Sequence, residues 1–264
     1  AMGLYDAAFA TLAGIYGRAA RGPITGITLI AGFASTVGWP LSAILAETFG
    51  WRITCLAWAA LHLFVALPLN RLLIPPAPPP EKAQAKADTG PPPPRFAAPI
   101  RAFTFAATWF VTGALAAHLR DMLQLAGATP ALAIAAAALV GPAQVAARLA
   151  EFGLLRRIHP LVSARIATLG HPLGAATLLI FGAVGNPLGA SAFAILHGMG
   201  NGMLTIAKGT LPLAVFGPAG YGARQGWIGA PARLLQATAP FAFGLILERG
   251  GLTPALALTA ALSL

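Results

Sequence analysis

Apolar residues fill this chain in long continuous runs that short polar or basic stretches separate. Several runs approach or exceed the ~18 residues that cross a ~30 Å hydrocarbon core as a helix. The runs are continuous and do not alternate with a period of two, so they favour membrane helices over barrel strands. Three such segments precede one long polar stretch and six follow it. The pattern predicts an all-α, polytopic transmembrane helical bundle.

The polar stretch runs from Pro75 to Arg95 and consists of prolines, small residues and charges. This composition cannot bury enough apolar surface to pack, and we expect residues 76–94 to be disordered or extended. The chain therefore divides into a partial N-terminal bundle at 1–74, a linker at 75–99 and a C-terminal bundle at 100–264.

The segment boundaries follow from glycine, proline and basic residues between the runs. We predict the nine segments at Met2–Tyr16, Pro23–Phe49, Trp51–Ile74, Ile100–Leu125, Pro130–Leu154, Leu161–Val184, Pro187–Phe216, Gln225–Leu247 and Leu252–Leu264. The first and the last are short for a membrane span. Both ends of the chain are accordingly expected to be cut, and the isolated chain is not expected to transport by itself.

Composition agrees with a membrane protein, because 57% of the residues are hydrophobic and only 9% are charged. The net charge of +10 would suggest nucleic acid in a soluble protein. Here the basic residues concentrate in alternate loops, so the positive-inside rule explains them better and no nucleic-acid partner is expected. The basic loops carry Arg18, Arg21, Arg71, Lys82, Lys86, Arg95, Arg101, Arg156, Arg157, Arg165 and Arg224. This orientation places the linker on the cytoplasmic side of a cell (inner) membrane.

A six-segment block after a cytoplasmic linker, with at least three segments before it, resembles the major facilitator superfamily. In that comparison the chain corresponds to helices 4 to 12. The stretch from Gly32 to Ser42 is similar to the glycine–proline motif on helix 5 of the superfamily's antiporters, with Gly38-Trp39-Pro40 in place of the usual Gly-Pro pair. The resemblance implies two bundles that rock about a midplane site, and transport of a small solute by alternating access.

The seventh segment carries the clearest polar pattern. His197, Asn201 and Lys208 lie within about 40° of one another on a helical wheel, over about 16 Å of helix. In the superfamily comparison this segment is helix 10, which lines the central cavity, and we expect the stripe to face that cavity. The alternative is a histidine and an asparagine packed between helices, with Lys208 reaching to the cytoplasmic face. Gly198, Gly200 and Gly202 interleave with the stripe and favour close helix packing or a flexible gate over a phosphate loop.

Asp6 lies about ten residues before the cytoplasmic end of the first segment, which places it near mid-depth at 1.5 Å per residue. A carboxylate at this depth is a candidate proton carrier or a partner for a cationic solute. A structural ion pair or a position at the interface are the alternatives. We expect Asp6 to approach the same cavity as the stripe on the seventh segment.

Other polar residues share faces of single segments. His118 and Asp121 lie about 60° apart on the helical wheel, toward the outer end of the fourth segment. Two alternatives are open for these polar residues: a role in binding solute or ion, or simple solvation at the membrane interface. In the fifth segment Arg148 is a candidate site residue, and a structural pair with Glu151 at i, i+3 is the favoured alternative. In the eighth, Arg233 and Gln236 share a face, and the guanidinium of Arg233 is a plausible anion contact.

No constellation of catalytic or metal-ligating residues is found, so we expect neither an enzyme nor a cofactor or metal site. The single cysteine, Cys55, allows no disulfide within the chain. No nucleotide-binding loop is present, so the driving force is expected to be an ion gradient, with protons as the coupling ion. The leading hypothesis is a secondary transporter of a small solute in the lipid bilayer, with efflux slightly favoured. The alternative is a non-transporting sensor or assembly module with the same fold.

Overall fold

A computed structural model describes residues 5–75, 96–154, 157–182 and 186–264. Every regular element in these ranges is helical. A 3₁₀ turn, Gly17–Ala20, follows the first helix, and a π-helical turn, His62–Ala66, follows the second. The α-helices of the described residues are α1 (Tyr5–Tyr16), α2 (Arg21–Leu61), α3 (Leu67–Leu73), α4 (Ala97–Leu125), α5 (Pro130–Ala138), α6 (Val140–Gly153), α7 (Pro160–Gly182), α8 (Pro187–Phe216), α9 (Tyr221–Gly250) and α10 (Leu252–Ser263).

The structure confirms an all-α protein with helices suited to a membrane. Five of the described helical stretches are long and apolar enough to cross one, and α10 is a shorter apolar helix. The five stretches are Ile44–Leu73, Pro99–Leu125, Pro130–Gly153, Pro160–Gly182 and Tyr221–Gly250. The predicted linker lies largely outside the described residues, so its extended conformation stays a prediction.

Helix boundaries follow local sequence signals. Thr129 and Asn186 stand at the N-caps of α5 and α8 and accept hydrogen bonds from backbone N–H groups two or three residues on. A proline occupies the first helical position after each cap, where its missing N–H costs nothing. At the other end, α8 stops at Gly217, whose φ of 72° favours glycine over any residue with a Cβ.

The predicted break between the second and third segments lies at Gly50, inside α2. Gly50 has φ 81° and ψ 162°, which no helix accommodates and which glycine adopts at little cost. Trp58 Nε1 donates to Ser42 Oγ at 3.0 Å, so residues eight positions on either side of Gly50 are neighbours. The two halves of α2 therefore run antiparallel as a hairpin of helices.

The predicted fifth segment is divided in the structure into α5 and α6. Pro142 has no N–H to donate to the carbonyl of Ala138, so the hydrogen-bond ladder is interrupted there. Leu139 between the two helices keeps right-handed helical dihedrals of φ −71° and ψ −20°, and its N–H bonds to Ala136 O, three residues back, at 3.0 Å. The sequence is apolar on both sides of this point, so the hydrophobic pattern predicted one continuous helix.

Two main groups of buried side chains hold the described helices together, beside a small third one formed by Ala147, Ala167 and Met203. The larger one joins helices after the linker and centres on Leu115, Met122, Phe193 and Phe243. The smaller one, with Phe9 and Ile24 among its members, packs α1 and the start of α2 onto α8 and α9. By contrast, only 6% of the most apolar window of Ile44–Leu73 is buried. That apolar surface is suited to lipid or to further helices.

Candidate functional site

A carboxylate from α1 lies between two cations from α8 and α9. Asp6 Oδ1 is 2.7 Å from Lys208 Nζ, and Asp6 Oδ2 accepts from Arg233 Nη2 at 2.8 Å. The carboxylate thus bridges an ammonium and a guanidinium that are both contributed by helices beyond the linker. Among the described residues, Asp6 is the only carboxylate before the linker that forms ion pairs with cations on both α8 and α9.

Trp109 of α4 completes the site from a third side. Lys208 Nζ lies 4.5 Å and Arg233 Cζ lies 4.8 Å from the centroid of its ring, which is within cation–π range for both. Asp6, Lys208, Arg233 and Trp109 are called the Asp6 cluster below. Four helices, α1, α4, α8 and α9, therefore meet at one polar point.

The Asp6 cluster is sheltered but reachable. The side chains of Lys208, Asp6 and Arg233 are 10%, 24% and 30% exposed. A small cavity of about 10 Å³, room for roughly one water, lies beside it and is lined in part by Trp109, Lys208 and Arg233. With one carboxylate against two cations, the cluster carries one surplus positive charge.

A third cation stands nearby and was not predicted as a site residue. Arg101, which the sequence analysis counted among loop charges, lies inside α4 and is only 6% exposed. Its Nη2 donates to Gln225 Oε1 at 3.1 Å, and Gln225 Nε2 donates to the backbone carbonyl of Lys208 at 3.0 Å. Arg101 Nε and Nη1 make no hydrogen bond in the structure. The sequence predicts that this helix begins at Ile100, which would place Arg101 at its end. In the structure the helix begins at Ala97, and Arg101 therefore lies one turn inside it, where it is buried.

The other polar residues of the predicted stripe on α8 face a different cavity. His197 and Asn201 line a space of about 20 Å³ between α4, α7, α8 and α10, all of which follow the linker. Thr112 Oγ1 donates to Asn201 Oδ1 at 3.3 Å. Only Lys208, about 16 Å along the helix from His197, reaches a residue before the linker.

His197 also has a partner that sequence reasoning missed. Its Nδ1 lies 3.2 Å from His171 Nδ1, a hydrogen bond in which one ring donates and the other accepts. Both rings are buried beside Phe193, and His171 Nε2 has no hydrogen-bond partner. His171 is the one histidine of its predicted segment, and its partner lies 26 residues away on another helix, so no spacing within that segment pointed to the pair.

The glycines on α8 confirm close helix packing. A Cβ at Gly202 would lie 2.6 Å from the backbone oxygen of Gln144, and a Cβ at Gly198 would lie 2.7 Å from that of Val140. Both partners belong to the stretch that opens α6. Gly200 faces the opposite side, where a Cβ would lie 2.6 Å from the backbone oxygen of Ala167 on α7. The missing side chains thus let α8 touch α6 and α7 at backbone distance.

The expected pair between Arg148 and Glu151 is wrong. Glu151 Oε1 lies 3.4 Å from Arg21 Nη2, and Arg148 donates to Thr28 O at 3.4 Å. Arg148 also donates to Gln144 Oε1 at 3.3 Å. Both side chains reach across to α2 because it packs against α6, and this tertiary contact overrides the local i, i+3 spacing. Arg148 remains a candidate site residue, buried between two helices.

The remaining candidates lie apart from the Asp6 cluster. His118 Nδ1 is 3.7 Å from Asp121 Oδ2, and His118 Nε2 is 2.9 Å from the backbone oxygen of Pro240. The Asp121 side chain is 65% exposed, which agrees with the interface alternative. Gln236 is half-buried where α9 crosses α4, close to Gly113.

Comparison with known proteins yields no relative: no family model matches the chain, and no curated protein matches its sequence. Within the described residues, no group of three or more histidine, cysteine, aspartate or glutamate side chains is placed to hold a metal ion. The site is therefore interpreted from its own geometry.

Proposed function

We propose that the chain belongs to a secondary active transporter that moves a small solute by alternating access, with an arrangement of the major facilitator kind. In this proposal it lies in the inner membrane, its linker at 75–99 is cytoplasmic, and the helices before and after the linker belong to two bundles. The observation that carries the proposal is the Asp6 cluster, in which a carboxylate before the linker bridges two cations after it.

Ionisable groups inside membrane helices are costly, and where they persist they most often serve substrate or ion pathways. The described helices are apolar over most of their length, yet α1, α8 and α9 bring three charges to one point beside a cavity. A purely structural bundle gains more from apolar packing than from a buried ion pair. This comparison favours a functional role for the cluster over the sensor or assembly module.

Alternating access needs contacts between bundles that form in one state and break in another. The two oxygens of Asp6 make such a contact, since each pairs with a different helix. Protonation of Asp6 removes its negative charge and with it most of the attraction to Lys208 and Arg233. Because two cations favour the charged form of Asp6, we infer that Asp6 takes up a proton once the contact has opened. The proton then keeps the contact from re-forming, which couples solute movement to the proton gradient, with efflux as the favoured direction.

The proposal is tested with the native full-length protein in proteoliposomes on solid-supported membranes. Benzoate, tetramethylammonium and glucose are applied in turn, with and without a pH gradient. We expect a current or a pH change with at least one of these solutes, and we expect Asp6→Asn to abolish the response to the pH gradient. Glu248→Gln, which changes an exposed carboxylate at the end of α9, is the matched control and is expected to behave as the unmodified protein.

Absence of any flux with folded protein, for these solutes and for a wider panel of small anions, cations and sugars, would contradict the transporter. Normal proton-driven flux in Asp6→Asn would instead remove Asp6 from the coupling step.

A further inference from the structure

We propose that the C-terminal side of the Asp6 cluster is a binding site for a small carboxylate, and that Asp6 occupies it in the state described here. The proposal rests on the proposed function, because it names the solute class that the same site takes. A carboxylate in a membrane helix would most simply bind a cationic solute. Here Asp6 instead takes the place of an anionic solute.

The first observation is the geometry around the Asp6 carboxylate. Asp6 Oδ2 accepts a charge-assisted hydrogen bond from the Arg233 guanidinium at 2.8 Å, and Asp6 Oδ1 lies 2.7 Å from the Lys208 ammonium as an ion pair. Lys208 and Arg233 are fixed against the Trp109 ring at 4.5 and 4.8 Å. The three side chains thus form a ready receptor for a carboxylate, and all three follow the linker.

The second observation is the charge balance. Asp6 is one carboxylate against two cations, Lys208 and Arg233. Arg101, which Gln225 links to the backbone of Lys208, keeps two nitrogens without hydrogen bonds while only 6% exposed. Cations that are withdrawn from water are costly without an opposite charge. The surplus attracts anions and repels cations, so an anionic solute fits this region and a cationic one does not.

The consequence concerns movement. When α1 withdraws, or Asp6 takes a proton, Lys208 and Arg233 lose their partner. An incoming carboxylate restores the pairing. The cavity beside Phe105 and Ile228 holds about one water, so the room for the apolar part of the solute comes from the withdrawal of α1. Solute binding and the Asp6 contact are therefore mutually exclusive, so the solute itself stabilises the state in which the contact is broken.

This exclusion predicts an unusual result for removal of a membrane carboxylate. In Asp6→Asn the internal competitor is gone while both cations stay, so benzoate should bind more tightly, by about tenfold if the competing contact is worth about 1.4 kcal/mol. Arg233→Gln should weaken benzoate binding by at least about tenfold, because a guanidinium–carboxylate bond is lost from a sheltered site. Arg249→Gln, an exposed cation at the end of α9, is the matched control and should leave the affinity unchanged.

The experiment measures benzoate binding to the native full-length protein by isothermal titration, with benzamide and benzylamine as neutral and cationic analogues of the same shape. It is run in nanodiscs of phosphatidylcholine alone and with added phosphatidylglycerol. Binding of benzoate over both analogues, tightened by Asp6→Asn and weakened by Arg233→Gln, supports the site. Competition by phosphatidylglycerol would assign the anion site to a lipid headgroup, and its absence to a free solute.

Preferential binding of benzylamine, lost in Asp6→Asn, would overturn the inference while leaving a transporter intact. Equal affinity for benzoate in all folded variants would overturn it as well. Benzoate binding with the predicted variant pattern, but without flux of any solute, would keep the anion site and remove the proposed transport. Size-exclusion elution and melting temperature establish that each variant is folded, and Arg233→Lys, which keeps the charge, should bind more tightly than Arg233→Gln.

Discussion

The backbone contact between α8 and α6 is the feature whose perturbation the structure predicts most directly. In Gly202→Ala the new methyl would lie 2.6 Å from Gln144 O and 2.9 Å from Gln144 Cα, against 3.4 Å or more for an ordinary contact. Both obstructing atoms belong to the backbone, so no side-chain rotation relieves the clash. To reach an ordinary contact of 3.4 Å, the new methyl must move about 0.8 Å away from the Gln144 oxygen, which lies at 2.6 Å, so the two helices must separate locally by that amount.

Two opposing terms set the magnitude. Overpacking of this kind costs about 1–3 kcal/mol, while replacing a helical glycine by alanine gains about 0.5–1 kcal/mol. The difference between the two terms is a net loss of up to about 2.5 kcal/mol, which corresponds to a fall in melting temperature of up to roughly 10 °C for a chain of this size. The perturbed helix carries Asn201 and Lys208 on either side of the glycine, so the loss also bears on the site.

The assay is thermal unfolding of the purified protein in detergent, followed by intrinsic tryptophan fluorescence. Gly226→Ala on α9 is the matched control, because a Cβ there meets nothing within 4 Å. It gains the helix-propensity term without a clash and should melt at the same temperature as the unmodified protein or slightly higher. If Gly202→Ala melts as high as Gly226→Ala, then α8 and α6 are not in backbone contact and the packing argument fails.

Three further predictions follow from other contacts. His171→Phe should lower the melting temperature because it leaves His197 buried without a hydrogen-bond partner. The double variant with His197→Phe should recover part of this loss. If the losses of the two single variants simply add in the double variant, the histidines do not form a hydrogen-bonded pair. A hydrated cavity beside Asn201 should let a cysteine substituted there react with a water-soluble thiol reagent in the native full-length protein. If that cysteine is not labelled under any condition, the cavity is a dry structural contact. Protease added to inside-out vesicles should cut within residues 76–94, and cutting only in right-side-out vesicles would overturn the predicted orientation.

The helices and most of their ends were predictable from the sequence. Hydrophobic runs of sufficient length require helices in a membrane because no other open structure satisfies the backbone hydrogen bonds there. Gly50 and Gly217 interrupt the runs where positive φ is needed, and the predicted boundaries lie at or beside them. There were two exceptions. The π-helical turn His62–Ala66 interrupts the predicted third segment, and Pro142 interrupts the ladder between α5 and α6 without interrupting the hydrophobicity.

The contacts between helices were decided only by the tertiary structure. A helical wheel aligned His197, Asn201 and Lys208 on one face, but packing directs Lys208 to Asp6 and the other two to a separate cavity. Asp6 and Arg233 are 227 residues apart, and no local spacing relates them.

The physical reason lies in the composition of membrane helices. A helix that is apolar on all sides carries no hydrophobic stripe to show which face is buried, so small residues and polar partners select the packing. Glycines at backbone distance bring α8 against α6 and α7, and that placement sets where each polar side chain on α8 ends. The sequence by itself determined an all-α protein with helices long and apolar enough to cross a membrane, and a short set of candidate residues. Only the tertiary structure decided that Asp6 bridges Lys208 and Arg233, because that pairing depends on which helix faces meet.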